Sequence, residues 1–220
     1  MRAAILRNRA MVVDDLPDLT PGPGQVLVEP IACGICGSDL HTVEGAHDLV
    51  TSATEAGMAT FMFDPDADLA MGHELSVRVT GLGAGVNSVS EGTAYAAMPT
   101  LNLPDGGRAV PGSDNVFPGG YADQMLLDPV GLLPVPNGLD PKFAALTEPM
   151  AVGLHAVNEA TIEPDRVAVV IGAGPVGQAV TAALSARGHE PIVVADFSPT
   201  RRRVAAVLGA HVVVDPAEAS

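Results

Sequence analysis

Residues 167–177 set the apolar run Val-Ala-Val-Val-Ile directly before Gly172-Ala173-Gly174-Pro175-Val176-Gly177, and no other feature constrains the fold of this chain as strongly. A buried-type strand that ends in a glycine turn and continues as a helix opens a dinucleotide-binding unit. The first glycine permits the tight turn, the second lets backbone approach a pyrophosphate, and the third lets helix and strand pack closely, so the phosphates meet the helix N-terminus. The pattern predicts a helix over 176–187, a strand over 192–195, a helix over 199–208 and a strand over 211–214. That is βαβαβ, one mononucleotide-binding half. Asp196 closes the second strand about 20 positions past the last glycine, where an acid accepts hydrogen bonds from ribose hydroxyls and repels a 2′-phosphate. NAD is therefore expected over NADP. Arg201, Arg202 and Arg203 read as a solvated helix face, although such a cluster could instead hold the extra phosphate of NADP.

The first part of the chain has a different texture. Up to about residue 135, short β-rich runs (3–6, 25–31, 75–82, 121–127) alternate with Gly and Pro punctuation, which predicts an irregular, mostly antiparallel β domain. After Asp140, residues 141–155 show helical spacing of Phe143, Leu146, Met150 and Leu154, a candidate hinge helix. The expected domains are 1–155 and 156–220.

A second constellation lies in the β domain: Cys33-Gly34-Ile35-Cys36-Gly37-Ser38-Asp39-Leu40-His41, followed by Gly72-His73-Glu74. A thiolate, an imidazole and a carboxylate are the S, N and O donors of a catalytic zinc site, and long spacing suits a site that the fold assembles. Glu148 is a further carboxylate that could face the same cleft. Cys33 and Cys36 also form CxxC, but a redox pair normally opens a helix after a strand, and this one is flanked by glycine turns. Cys33 alone reads as a small buried hydrophobe. Asp64, Asp66 and Asp68 resemble a calcium loop, yet Leu69 and Leu75 stand at its sixth and twelfth positions, so an exposed acidic loop is expected.

The formal net charge of −15 repels phosphate backbones and anionic lipid, which argues against nucleic-acid or membrane partners. No signal-peptide core is visible, and the apolar stretch 167–176 falls short of the roughly 20 residues of a spanning helix. A cytoplasmic protein is expected.

Cys-Gly-Ile-Cys-Gly-Ser-Asp-Leu-His, Gly-His-Glu, Thr147-Glu148-Pro149 and Gly-Ala-Gly-Pro-Val-Gly, in this order, resemble the medium-chain dehydrogenases, particularly the sorbitol, threonine and butanediol branch. The resemblance implies a GroES-like β domain followed by the first half of a Rossmann fold, and hydride transfer between an alcohol or polyol and NAD. It implies that Cys36, His73 and Glu74 ligate one catalytic zinc, with Glu148 a third-ligand position or an acid bonded to the zinc water. Asp39 would orient His73, and Ser38 and His41 would pass the substrate proton outward. Gly172, Gly174, Pro175, Val176, Gly177, Asp196 and Arg201 would bind the cofactor. Relatives assemble as homo-oligomers.

This chain departs from those relatives in three places, the smallest being Glu91-Gly92-Thr93-Ala94 where the family usually has a Gly-Asp-Arg-Val turn. The four cysteines of a structural zinc lobe are missing from residues 93–119, so that lobe is expected to be held by packing without a structural zinc. The second βαβαβ half is also missing, which would leave one edge of strand 167–171 unpaired and make the 220-residue chain a poor catalyst by itself. Two other classes compete: a zinc-free quinone or enone reductase of the same superfamily, against which the ligand set argues, and a non-catalytic remnant that binds zinc or nucleotide.

Overall fold

The computed structural model describes residues 1–58, 63–160, 162, 163 and 166–218. The chain divides into two compact units, Met1–Thr147 and Glu148–Ser220.

The first unit opens on a hairpin of β1 (Arg2–Arg7) and β2 (Ala10–Asp15), which pair antiparallel around Asn8 and Arg9. Both turn residues are left-handed, at φ 50° and 63°. Their twist matches that of a two-residue hairpin. Arg7 then anchors the hairpin, donating to Asp68 at 2.6 and 2.8 Å and to Asp14 at 2.8 Å. Asp68 is thus fixed in an ion-pair network, and only Asp64 and Asp66 of the expected acidic loop are fully exposed.

In chain order there follow β3 (Val26–Cys33), α1 (Gly37–Glu55), β4 (Leu75–Leu82), β5 (Ala94–Ala97), β6 (Leu101–Asn102), β7 (Arg108–Ala109), β8 (Met125–Leu127) and β9 (Leu132–Pro134). Five of these strands form one antiparallel sheet in the order β8-β3-β4-β5-β9. Successive side chains point to opposite faces of a strand. Val26 and Val28, Val77 and Val79, and Met125 and Leu127 accordingly share a core with Leu75, Tyr95 and Leu132. Fully burying such a side chain is worth about 1.5–3 kcal/mol. The small ribbon β6–β7 lies within residues 93–119, and a separate apolar cluster of Leu101, Ala109 and Leu126, with Leu103 and Phe117 against it, holds it in place.

Helix α1 was not expected from the sequence, which suggested turns there. Its buried residues are Asp39, Thr42, Ala46 and Ala53, small or polar side chains that leave no apolar stripe to read. The stretch 141–155 also differs from the single helix expected. Asp140 caps a 3-10 helix over Pro141–Leu146, and α2 (Thr147–Glu159) follows.

The second unit continues from α2 with β10 (Ala168–Ile171), α3 (Pro175–Ala186), β11 (Ile192–Ala195), α4 (Pro199–Val207) and β12 (Val212–Val214), in parallel order β10-β11-β12. Ala168, Val170, Ile192 and Val194 turn one face of the sheet into a core with Val157, Leu184 and Ala205. The opposite face of β10 is open: Val169 and Ile171 are exposed, on a strand whose residues are apolar on both faces. Along residues 141–157 the inward positions are Ala144, Ala145, Pro149, Gly153 and Val157, while Phe143, Leu146, Met150 and Leu154 are exposed. Close approach explains the choice in α2, since a Cβ on Gly153 would stand 2.6 Å from the Ala179 backbone. No helix of the described residues is long and apolar enough to cross a membrane.

Candidate metal centre and nucleotide turn

Strand register and a helix cap bring the candidate ligands together. Cys33 ends β3 and pairs with Leu75, which sets His73 and Glu74 opposite the turn that leads into α1. Gly34 N–H donates to the Glu74 carbonyl at 2.8 Å. Cys36 is the N-cap of α1, with extended backbone at φ −80° and ψ 158°. Asp39, three residues on, returns its carboxylate so that Oδ2 accepts from Cys36 N–H at 2.8 Å, satisfying an N–H that a helix start leaves orphaned. One ligand atom each of Cys36, His73 and Glu74 then lies within 4.8 Å of the others.

Two glycines make room for this. Gly72 is left-handed at φ 105°, and a Cβ there would stand 2.9 Å from Cys33 Sγ and from Tyr121. A Cβ on Gly34 would stand 2.0 Å from Glu74 Oε2.

Asp39 Oδ1 lies 3.6 Å from His73 Nδ1. Tyr121 Oη donates to Asp39 Oδ2 at 2.7 Å and also reaches the Gly34 carbonyl at 3.3 Å. Burial by itself would raise the Asp39 carboxyl, but hydrogen bonds from His73, Tyr121 and Cys36 outweigh it and hold the group below its ordinary range. Asp39 in turn raises His73 to about 9 against the opposing effect of burial. Burial first and Asp39 second push the Tyr121 phenol up, so it stays a donor. Tyr121 did not stand out in the sequence as a site residue, because no spacing relation links it to the ligand motifs; Gly34 lies inside the first motif, but its contact with Glu74 depends on the strand register.

Cys33 packs against the sheet core, and burial pushes its thiol up to about 12. Cys36 does open a helix after a strand, so the glycine turns that flank the pair do not exclude a redox role. The raised Cys33 thiol argues against one instead, since exchange chemistry needs a thiolate. Ser38 and His41 sit one turn apart on α1, half-buried and exposed respectively. Glu148 stands in the first turn of α2, in the second unit.

In the nucleotide turn, Gly172 is left-handed at φ 95°, and a Cβ on Gly177 would stand 1.9 Å from the Gly172 carbonyl oxygen. Both positions therefore demand glycine. Gly174, the N-cap of α3, differs: it has no side-chain cap, and a Cβ there would meet nothing within 4 Å. Open space in front of the helix start is what an entering phosphate needs. Pro175 is the first helical residue, where its missing N–H costs nothing, and Val176 follows, partly exposed. Asp196 is buried at the end of β11. Its Oδ1 accepts from Ser198 N–H at 2.7 Å and its Oδ2 from Ala173 N–H at 2.8 Å, which together hold it below the ordinary carboxylate value. Arg201 stands 3.8 Å from Oδ2. Arg202 is not part of a solvated face. It donates to the carbonyls of Asp196 and Phe197 at 2.7 and 2.9 Å and pairs with Asp215 at 2.9 Å, tying the ends of β11 and β12 together.

A sulfur, nitrogen and carboxylate cluster in an antiparallel β unit, followed by a glycine turn in a parallel α/β unit, defines a class. Residues 22–137 match the alcohol dehydrogenase GroES-like domain, and the chain belongs to that family, the medium-chain alcohol dehydrogenases. L-galactonate-5-dehydrogenase of Escherichia coli (strain K12) is 31% identical over 192 residues, covering 83% of this chain and 52% of that protein. (R,R)-butanediol dehydrogenase of Bacillus subtilis (strain 168) is 30% identical, over 99% of this chain and 64% of that one. Among solved structures, acetophenone reductase from Geotrichum candidum NBRC 4597, in complex with NAD, matches with a TM-score of 0.80 at 26% identity, covering 100% of this chain and 65% of that one. This chain thus spans between about half and two thirds of the length of these relatives.

Proposed function

We propose that the protein is a zinc-dependent oxidoreductase that transfers a hydride between the CH–OH group of an alcohol or polyol and NAD. The observation that carries this is the convergence of Cys36, His73 and Glu74, one ligand atom each, within 4.8 Å. The donor set fits a catalytic zinc, which takes three protein ligands of these types and keeps one position open. Gly34 fits it too, because any larger residue there would fill the space that the Glu74 carboxylate occupies. Cys36, His73 and Glu74 would hold one such ion, and Glu148 joins the set by family resemblance alone.

When bound, zinc supplies a Lewis acid for the alcohol oxygen and NAD supplies the hydride acceptor. The rest is done by the chain. Asp39, facing His73 Nδ1, holds a proton on that nitrogen and leaves Nε2 as the ligating atom. Ser38 and His41 carry the substrate proton from the half-buried to the exposed side of α1. The N–H groups at the start of α3 hold the pyrophosphate, and Asp196 takes the ribose hydroxyls and repels a 2′-phosphate. Arg202 is already engaged by Asp215 and two carbonyls, which supports NAD over NADP. The relatives are named for butanediol and L-galactonate, which supports a diol or polyol substrate.

Metal analysis tests the reading directly. The purified chain should carry about one zinc, lost in Cys36→Ser and in His73→Ala, and assays with NAD and a panel of diols, polyols and amino alcohols would identify the substrate. Protein that neither carries zinc nor takes it up would overturn it.

A further inference from the structure

We infer that Tyr121 is a positioning residue of the metal centre, acting through Asp39 on His73; this rests on the zinc reading above. Asp39 Oδ2 receives two donors, Cys36 N–H at 2.8 Å and Tyr121 Oη at 2.7 Å. With Oδ2 held at both, the carboxylate cannot rotate freely, and Oδ1 is left turned toward His73 Nδ1 at 3.6 Å. The Cys36 donor moves with the start of α1, which also carries Asp39. The Tyr121 donor is the outside reference.

That reference is itself well anchored. Tyr121 N–H donates to the Met71 carbonyl at 3.0 Å, and the Tyr121 carbonyl accepts from Ala4 N–H at 2.8 Å. The residue also packs against the apolar cluster that contains Leu6, Leu69 and Met71. A hydroxyl placed by the β1 hairpin and by the segment before His73 therefore sets a carboxylate on α1, and that carboxylate sets an imidazole. A metal-bound imidazole needs a fixed orientation and tautomer, and loss of the group that supplies them typically lowers metal affinity by about 10- to 100-fold. Tyr121 stands one step further out, so its effect should be smaller. Phenylalanine would keep the ring packing and both backbone bonds and remove one oxygen.

The test compares zinc affinity, by chelator competition, for the wild-type chain, Tyr121→Phe, Asp39→Ala and the double variant. Tyr121→Phe should bind roughly three- to tenfold more weakly and Asp39→Ala roughly 10- to 100-fold more weakly. The double variant should be no weaker than Asp39→Ala, because the hydroxyl then has nothing to position. The cobalt(II) form gives a second measurement that does not depend on Asp39→Ala folding: its visible bands report ligand geometry and should shift in Tyr121→Phe. A Tyr121→Phe chain with wild-type affinity and wild-type cobalt bands overturns the inference. So does a Tyr121→Phe loss of equal size in both backgrounds, which would mark a role in general packing. A wild-type chain that takes up neither metal overturns the zinc reading itself, and this inference with it.

Discussion

The candidate metal centre of the first unit and the glycine turn of the second are built in opposite ways. In the second unit, Gly172, Gly174 and Gly177 belong to one short stretch of chain: Gly172 is required by its own left-handed backbone, Gly177 by the Gly172 carbonyl, and Gly174 leaves open space. In the first unit, Cys36 and Glu74 are 38 positions apart in sequence, and they meet only because Cys33 pairs with Leu75 across the sheet and Asp39 folds back onto the Cys36 N–H. A local motif carries its geometry with it. An assembled site borrows geometry from everything that holds the sheet and helix in register, down to a tyrosine nearly 50 residues past the last ligand of the set.

The sharpest way to break this comparison is to add one methyl group on each side. In Gly177→Ala the new Cβ would meet the Gly172 carbonyl at 1.9 Å, a backbone atom that cannot swing away. NAD binding should be abolished and stability should fall by about 1–3 kcal/mol or more, the cost typical of overpacking, read as a lower melting temperature, while zinc affinity stays within about twofold. In Gly34→Ala the clash is with the tip of the Glu74 side chain at 2.0 Å. That carboxylate can move, so the fold should survive and zinc affinity should fall about 10-fold or more. Calorimetry of both ligands on both variants decides the matter, and the independence of the two units fails if either change moves both affinities.

A pH titration should separate the units as well. Asp39 holds His73 protonated up to about 9 in the absence of metal, with Cys36 and Glu74 as the other titratable groups of the cluster. Zinc must displace that proton and binds Cys36 as its thiolate, so its apparent affinity should climb by about tenfold per pH unit or more toward pH 9. The same shift has a sign for folding. A histidine raised in the folded state contributes stability that is fully present below its unfolded value of about 6.5 and is lost as pH rises through about 9. The metal-free chain should therefore melt lower above pH 9 than near pH 6. Asp196 is held below its ordinary value and stays ionised throughout, so NAD affinity should remain flat over that window.

The smallest expected effect is also the most discriminating for the nucleotide half. Asp196→Ser should weaken NAD about tenfold and improve NADP relative to it, if the carboxylate reads the ribose. Asp196 also accepts from Ala173 and Ser198 N–H, so a purely bracing role would weaken both dinucleotides equally. Zinc affinity should not change in either case.

Much of the second unit was legible from residues alone. The strand, turn, helix, strand and acid came from a contiguous pattern whose period and glycine positions are local properties, and β10 through β12 fall within a residue or two of the spans expected. The candidate ligand types were legible too, as chemistry, and the joint role proposed for them is what the family resemblance implies. Helix α1 was not, because a helix that buries Asp39, Thr42, Ala46 and Ala53 offers no hydrophobic period. Nor was the inward face of α2, where apolar spacing pointed to Met150 and Leu154 and the fold chose Gly153 and Val157.

The sequence by itself determined the elements whose information is local: the dinucleotide turn, the acid that follows it, and the donor chemistry of Cys36, His73 and Glu74. Tertiary structure decided what depends on distance between segments. It chose which face of α2 is small enough to lie against Ala179, it turned Arg202 from a surface charge into a tie to Asp215, and it placed the Tyr121 hydroxyl at the Asp39 carboxylate. Hydrogen bonds and close packing act over about 3–4 Å. Residues far apart in the chain acquire such distances only after the sheet register and the helix start have been set.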